Sequence, residues 1–260
     1  GAIKNNYAAR VTSGFPGTVI VGGTSSTNIV SFGVSNLNNT QLITLNFGAI
    51  KSTGKVFPVG NETAYGALLQ FNQNQKWEVG SLAGELTISP SQTSPCAMSV
   101  GTIEDNANIY IRYGLDLTVG TVGKNVKIHY LPVSNKQPNA LTVTGSGAFA
   151  EIEIQGTANT VQFNNVAADL VSGGGKIEVV GGACRFGKVD DAIAVDIKAG
   201  SVNFGVLKCL QEVLSAKSPA LWLDASATSR MEGPWNATWA KTAPAGQKTT
   251  FNGKNSAAYD

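Results

Sequence analysis

Residues 177–189, Ile-Glu-Val-Val-Gly-Gly-Ala-Cys-Arg-Phe-Gly-Lys-Val, are followed eighteen positions later by residues 195–207, Val-Asp-Ile-Lys-Ala-Gly-Ser-Val-Asn-Phe-Gly-Val-Leu. The two segments place apolar residues, Gly and Phe at the same positions. Apolar and polar residues alternate within each segment in two short runs, which is the pattern of half-buried β-strands. The pair therefore predicts two successive copies of one strand–turn–strand unit.

A six-residue motif extends the repeat along the chain: apolar, any, Phe or Val, Gly, any, apolar. Its third position falls at Phe47, Val79, Val100, Val119, Val143, Phe163, Phe186 and Phe204. Its fourth position holds Gly in most copies, including Gly48, Gly187 and Gly205, and Asn164 in one. Asn is the other residue that tolerates a left-handed backbone. This position is therefore predicted to be selected for a positive φ angle.

The repeat decides the predicted fold class. A unit of two or three short strands without a helix, recurring about every 20 residues, predicts an all-β parallel β-solenoid of about eight coils. The eight Phe or Val positions are expected to stack as one inward column. An antiparallel β-sandwich or jelly roll, which also has turns at regular spacing, stays open as the alternative.

The repeats divide the chain into four segments. Residues 1–40 are predicted to be an N-terminal cap or first coil, and residues 41–207 the solenoid body. Residues 208–218 are predicted to be a short capping helix or linker, because apolar residues recur there at helical spacing. Such a helix would cover the open sheet edge. Residues 219–260 have a different character and form a separate segment or tail.

Two phrases carry a family resemblance. The repeat body, with phrases such as Thr-Val-Thr-Gly-Ser-Gly, resembles the secreted β-helices of autotransporter passengers and pectin-lyase-like proteins. Residues 219–229, Pro-Ala-Leu-Trp-Leu-Asp-Ala-Ser-Ala-Thr-Ser, resemble the opening strand of laminin-G-like, concanavalin A-like jelly rolls in large bacterial surface proteins. The resemblance implies a repeat region of a large secreted or cell-surface protein, with other domains of that protein as partners.

Composition excludes several classes of partner. The net charge is +2, charged residues are 14% of the chain, and no basic run occurs. A nucleic-acid partner is therefore not expected. No apolar run approaches the roughly 20 residues that span a bilayer, so membrane insertion is not expected. Three cysteines are too few for a disulfide framework, and Cys184 is predicted to be a small core residue.

Catalytic candidates are sparse. His129, the single histidine, is predicted to point outward from a strand, with no evident partners for a zinc site or a triad. Glu104 and Asp105 follow one motif copy and the pair at 190–191 follows another. They are expected to share a register but to lie four coils apart, roughly 19 Å, beyond the separation of about 5–9.5 Å that glycosidase carboxylates need. A Ca²⁺ ion at a turn acid is unsupported by ligand count. No cofactor is predicted.

The predicted function is therefore a non-catalytic structural or adhesive segment, acting as a stalk or spacer in an extracellular or cell-surface protein. The alternative is a carbohydrate-active β-helix, a polysaccharide lyase or hydrolase, or a glycan-binding module. Trp235 and Trp239 are the candidate glycan contacts, because exposed aromatic faces stack on sugars. Homotypic assembly is a further candidate interaction.

Overall fold

The computed structural model describes residues 2–4, 8–11, 14–22, 30–34, 43–55, 67–70, 74–90, 96–132, 139–206, 250–251 and 254–255. Across residues 2–206 the described chain winds as an all-β parallel solenoid. The described residues contain no helix. The predicted capping helix at 208–218 and Trp235 and Trp239 lie outside the described residues. The tail contributes a two-stranded antiparallel pair, Thr250–Phe251 with Lys254–Asn255.

Every coil contributes one strand to each of two parallel sheets, with strands numbered in chain order. The first sheet contains β1 (Ala2–Lys4), β3 (Phe15–Gly22), β5 (Ile43–Ser52), β7 (Gln75–Ala83), β9 (Ala97–Ile103), β11 (Asp116–Val122), β13 (Asn139–Val143), β15 (Thr160–Asn164), β17 (Lys176–Gly181) and β19 (Ala194–Ile197). The second contains β2 (Ala8–Val11), β4 (Val30–Val34), β6 (Ala67–Gln70), β8 (Glu85–Ser89), β10 (Asn108–Ile111), β12 (Lys127–Tyr130), β14 (Phe149–Ile154), β16 (Ala167–Gly173), β18 (Ala183–Val189) and β20 (Ser201–Val206).

The pairing confirms the solenoid. Strands in each sheet are ordered by coil, and the pairs among β1–β20 are parallel, as in β10 with β12 and β18 with β20. An antiparallel sandwich is therefore excluded for this part of the chain. From β9 to β20 the paired strands make about six turns. The sheets continue on the N-terminal side through β1–β8.

The core lies between the two sheets and is continuous along the solenoid axis. All eight Phe or Val motif positions are buried. Phe186 and Phe204 are direct partners on adjacent parallel strands, as predicted. The cysteine prediction is also confirmed for Cys184, which is buried beneath its partner Val202.

The prediction of a single inward column is wrong. Phe47, Val79, Val100, Val119 and Val143 stack on one another in the first sheet. Phe163 also lies in the first sheet, but its partners are Leu141 and Val179, whereas Phe186 and Phe204 lie in the second. The two sheets have the same alternation, so the motif alone does not distinguish them. The Phe163 and Phe186 rings meet across the core, with centroids 5.8 Å apart.

The motif glycines are selected for space and not for a left-handed backbone. None of Gly48, Gly187 or Gly205 has a positive φ, and neither has Asn164. A Cβ atom at Gly187 would lie 2.5 Å from the carbonyl oxygen of Asp169 on the preceding coil. At Gly205 the corresponding distance to the Gly187 carbonyl oxygen is 2.8 Å. Glycine here permits adjacent backbones to approach closely, which overturns the conformational prediction.

The glycine also marks a corner in the first-sheet strands. In β5 the buried apolar side chains are Leu45, Phe47 and Ile50, so the spacing of inward residues changes from two to three at Gly48. The pairing of β5 with β7 likewise passes from Phe47 to Ala49 without using the glycine. Positive φ angles occur elsewhere, at turn residues such as Asn106, Asn125 and Gly156.

Two buried polar features interrupt the apolar interior. Asn139 donates to Asn159 at 3.2 Å, and Asn159 donates to the carbonyl oxygen of Leu131 at 3.0 Å, so these amides satisfy backbone and side-chain groups of successive coils. Tyr130 is fully buried, and its hydroxyl has no hydrogen-bond partner among the described residues. Burial raises the pKa of this hydroxyl far above its ordinary value.

Candidate functional site

The acidic pairs follow strands of different sheets. Glu104 and Asp105 come directly after β9 in the first sheet, whereas Asp190 and Asp191 come directly after β18 in the second. The expectation that they share a register is therefore wrong, because the motif copies that precede them lie on opposite sides of the core. Glu104, Asp105 and Asp191 are exposed, and Asp190 is half-buried.

The hydrogen-bond and ion-pair partners of these acids are typical of residues that lie in turns. The Asp105 carboxylate accepts a hydrogen bond from the backbone N–H of Lys124 at 2.8 Å, which links one turn to the next. Glu104 accepts from the Ser81 hydroxyl at 2.9 Å. Asp190 forms an ion pair with Lys188 at 3.3 Å. These contacts give the acids a role in turn and coil packing.

The densest polar cluster lies instead on the outer face of the second sheet, around His129. The residue points away from the core, as predicted, because its neighbours Ile128 and Tyr130 are buried. Its side chain is only 12% exposed, since groups from adjacent coils cover it. Nδ1 lies 2.6 Å from Glu153 Oε2 on β14, and Nε2 lies 2.7 Å from Asn108 Oδ1 on β10. Both ring nitrogens are therefore engaged.

Tyr110 extends the cluster toward the preceding coil. Its ring stacks on that of His129, with centroids 4.4 Å apart and planes inclined by 12°. The Asn108 amide donates to the Tyr110 hydroxyl at 3.0 Å, and burial raises the pKa of that hydroxyl. The stack is a direct result of register, since Tyr110 and His129 are partners across β10 and β12.

A parallel row of charged residues runs beside the histidine. Lys127 donates to Glu151 at 2.8 Å, and Glu151 also accepts from the Ser172 hydroxyl at 2.9 Å. The hydrogen bond from Lys127 holds the pKa of Glu151 below its ordinary value. These contacts join β12, β14 and β16, so the two rows together link four successive coils on one face.

The sequence analysis missed the partners of His129 because they are separated from it by a coil's length. Asn108, Tyr110 and Glu153 lie nineteen to twenty-four positions from His129 or its strand neighbours. The signal was present as three alternating phrases, Asn-Ile-Tyr-Ile, Lys-Ile-His-Tyr and Glu-Ile-Glu-Ile, whose polar positions coincide once the coils are aligned. The partners of His129 could be identified only once the coil lengths of 19 and 24 residues were known.

A second charged network lies on the outer face of the first sheet. Glu178 accepts from Lys176 at 2.8 Å and pairs with Lys198 at 2.7 Å, and Lys176 also contacts Asp196 at 3.1 Å. The Glu178 side chain is 12% exposed. The hydrogen bond from Lys176, with that from Lys198, lowers the pKa of Glu178 to about 2. This network joins β17 to β19.

The His129 cluster and the charged networks link neighbouring coils, and their polar atoms take part in the hydrogen bonds and ion pairs that form these links. Among the described residues, no group of three or more His, Cys, Asp or Glu side chains is placed to hold a metal ion. Within the same part of the chain, no helix has the length and apolar character needed to cross a membrane. The prediction that the chain uses no cofactor stays a prediction.

No protein family, curated protein or solved structure matches this chain. The comparisons therefore support neither the autotransporter-like nor the laminin-G-like resemblance. The parallel β-solenoid rests on the geometry of the chain itself.

Proposed function

We propose that this chain is a non-catalytic structural or adhesive segment of a larger extracellular or cell-surface protein, acting as a stalk or spacer. The observation that carries the proposal is the continuous stack of parallel strands, with ten in each sheet. Each coil buries its apolar side chains against its neighbours, so the body extends along one axis without needing a ligand. At about 4.8 Å per step, the eight steps from β3 to β19 span roughly 38 Å.

The state of the polar clusters supports a structural role. A general base needs a nitrogen or oxygen within reach of a substrate proton, whereas both nitrogens of His129 already contact Asn108 and Glu153. The turn acids Asp105 and Asp190 follow strands of different sheets; Asp105 accepts from the turn of the next coil and Asp190 pairs with Lys188. The outward face thus holds coils together, as a stalk or spacer requires.

Composition and resemblance support the proposed location. Charged residues are only 14% of the chain, and Gly accounts for 30 of its 260 residues. The laminin-G-like phrase at residues 219–229 is the reason to propose other domains of the same protein as partners. The proposed localisation is therefore extracellular or at the cell surface, and homotypic contact is a further proposed interaction.

The spacer role is tested by changing the number of coils. Residues 176–193 form one whole coil, because Lys176 is the register partner of Ala194. Removing them should preserve the sheets, whereas removing only residues 176–184 should place later strands on the wrong sheet and unfold the C-terminal part. Fluorophores at Thr18→Cys and Lys198→Cys, in a chain carrying Cys209→Ser, report the length by energy transfer.

The distance between the fluorophores should shorten by about 4.8 Å on deletion of the coil and lengthen by about 4.8 Å on its duplication. Loss of the β-sheet circular dichroism signal in the whole-coil deletion would contradict the spacer proposal.

The non-catalytic part of the proposal is tested by incubating the chain with neutral and acidic polysaccharides, with and without Ca²⁺. Release of reducing or unsaturated ends that disappears in the His129→Ala variant would overturn it.

A further inference from the structure

A groove runs along the solenoid axis on the outer face of the first sheet, above the motif glycines. Its cavity volume is about 460 Å³. The floor is backbone at Gly80, Gly101 and Gly120, which occupy the same position on three successive coils. A Cβ atom at Gly101 would lie 2.6 Å from the Gly80 carbonyl oxygen. The groove exists because the coils approach too closely there for side chains.

The rim of the groove carries hydrogen-bonding side chains at a regular spacing, and all but Glu78 are neutral. Asn46, Glu78, Ser99 and Thr118 are successive register partners, so each coil presents one polar side chain beside the floor. The steps between them are about 4.8 Å. Thr144 lies at the far end, where its hydroxyl donates to the Val119 carbonyl oxygen at 3.3 Å.

The groove carries little net charge. Among the described residues that line it, Glu78 is the one ionisable side chain. Its carboxylate forms an ion pair with Lys76 at 3.0 Å on the same strand. An anionic polymer would therefore meet no excess of cations here, and a cationic polymer would meet a single carboxylate that is already paired with Lys76.

An exposed aromatic ring lies in line with the groove. Phe15 is 47% exposed and is one of two large hydrophobic residues that are exposed in the described part of the chain, the other being Val180. Phe15 is the register partner of Phe47, which lines the groove, and its ring lies against Gly17. An exposed ring next to a groove rimmed with hydroxyl and amide groups is the combination that binds the apolar C–H face and the hydroxyl groups of a sugar.

We propose that this groove binds a linear, uncharged polysaccharide laid parallel to the solenoid axis, with a sugar ring stacked on Phe15. The glycine floor allows the sugar rings to approach the backbone, and the Asn46, Ser99 and Thr118 side chains exchange hydrogen bonds with their hydroxyl groups. This inference gives the adhesive part of the proposed function a ligand class and rests on that function.

Binding is measured by isothermal titration calorimetry of the full chain with three neutral probes, a soluble mixed-linkage β-glucan, a galactomannan and a dextran. Polygalacturonate, heparin and an extended uncharged peptide are the comparison probes. At least one neutral polysaccharide should bind, with little dependence on salt. Tighter binding of an anionic polymer or of the peptide would overturn the proposal, as would no binding of any neutral probe by the folded chain.

Two pairs of variants locate the site. Phe15→Ala should weaken binding about five- to tenfold through loss of stacking, while Val180→Ala, at the other exposed hydrophobic residue, should leave it unchanged. Ser99→Trp should block the groove and Ser99→Thr should retain binding. Binding that Ser99→Trp leaves intact would overturn the proposed groove. Failure of either test leaves the coil-deletion result unaffected, whereas cleavage of a probe would contradict the non-catalytic function.

Discussion

Substitution of Gly187 separates the two reasons for which a glycine can be required. A Cβ atom at this position would lie 2.5 Å from the Asp169 carbonyl oxygen, about 0.9 Å inside the 3.4 Å at which ordinary contact begins. The obstructing atom belongs to the backbone of β16, which is paired with β18 along the second sheet. Relief therefore requires one coil to move against the next.

Overpacking of this kind costs about 1–3 kcal/mol, and the upper part of that range is expected because the obstruction is backbone. Gly187→Ala should lower the free energy of unfolding by about 2–3 kcal/mol. Gly187→Asn and Gly187→Val should lower it at least as much, since both add the same Cβ atom. The measurement is urea denaturation followed by circular dichroism.

Two other glycines are matched controls. Gly156 has a φ of +83°, and a Cβ atom at this position would lie 3.4 Å from its nearest neighbour. The backbone conformation, and not the available space, therefore decides which residues fit at position 156. Gly156→Ala should cost about 1 kcal/mol and Gly156→Asn less. At Gly174 the φ is ordinary and the nearest atom is 3.8 Å away, so Gly174→Ala should be neutral or stabilising by about 0.4–1 kcal/mol. A mild effect of Gly187→Asn beside a severe effect of Gly187→Val would refute the steric explanation.

Three further predictions concern buried and charged groups. Tyr130→Phe should raise the free energy of unfolding by up to about 1 kcal/mol, because it removes an unpartnered buried hydroxyl; a decrease in denaturation midpoint would show that the hydroxyl has a partner. The pKa of Glu178 is lowered in the folded chain, so its stabilisation is present above its ordinary value near 4.5 and is lost as pH falls toward about 2. The chain should lose about 1–3 kcal/mol in that window, and Glu178→Gln should reduce the loss measured by urea denaturation; an unchanged pH profile would contradict the ion-pair explanation. A double-mutant cycle of His129→Ala and Glu153→Gln should give a coupling free energy of about 1 kcal/mol or more, and additive effects would show that the contact contributes nothing to stability.

The sequence alone determined the local pattern. Alternation about Phe186 and Phe204 predicted strands, and recurrence at a nearly constant interval predicted that they stack in parallel. Both residues are buried on adjacent parallel strands. This succeeded because a side chain's face depends on the parity of its position in a strand, which is a local property.

Only the tertiary structure decided which strands are neighbours and what the glycines do. The two sheets have the same alternation, so Phe163 and Phe186 read alike although they face each other across the core. Gly187 reads as a turn residue, yet its role depends on the carbonyl oxygen of Asp169 one coil earlier. The contacts of His129 with Glu153 and Asn108 also depend on coil length. Register between coils is set by the number of residues in each turn and loop, so contacts between coils cannot be assigned until the whole chain has been wound.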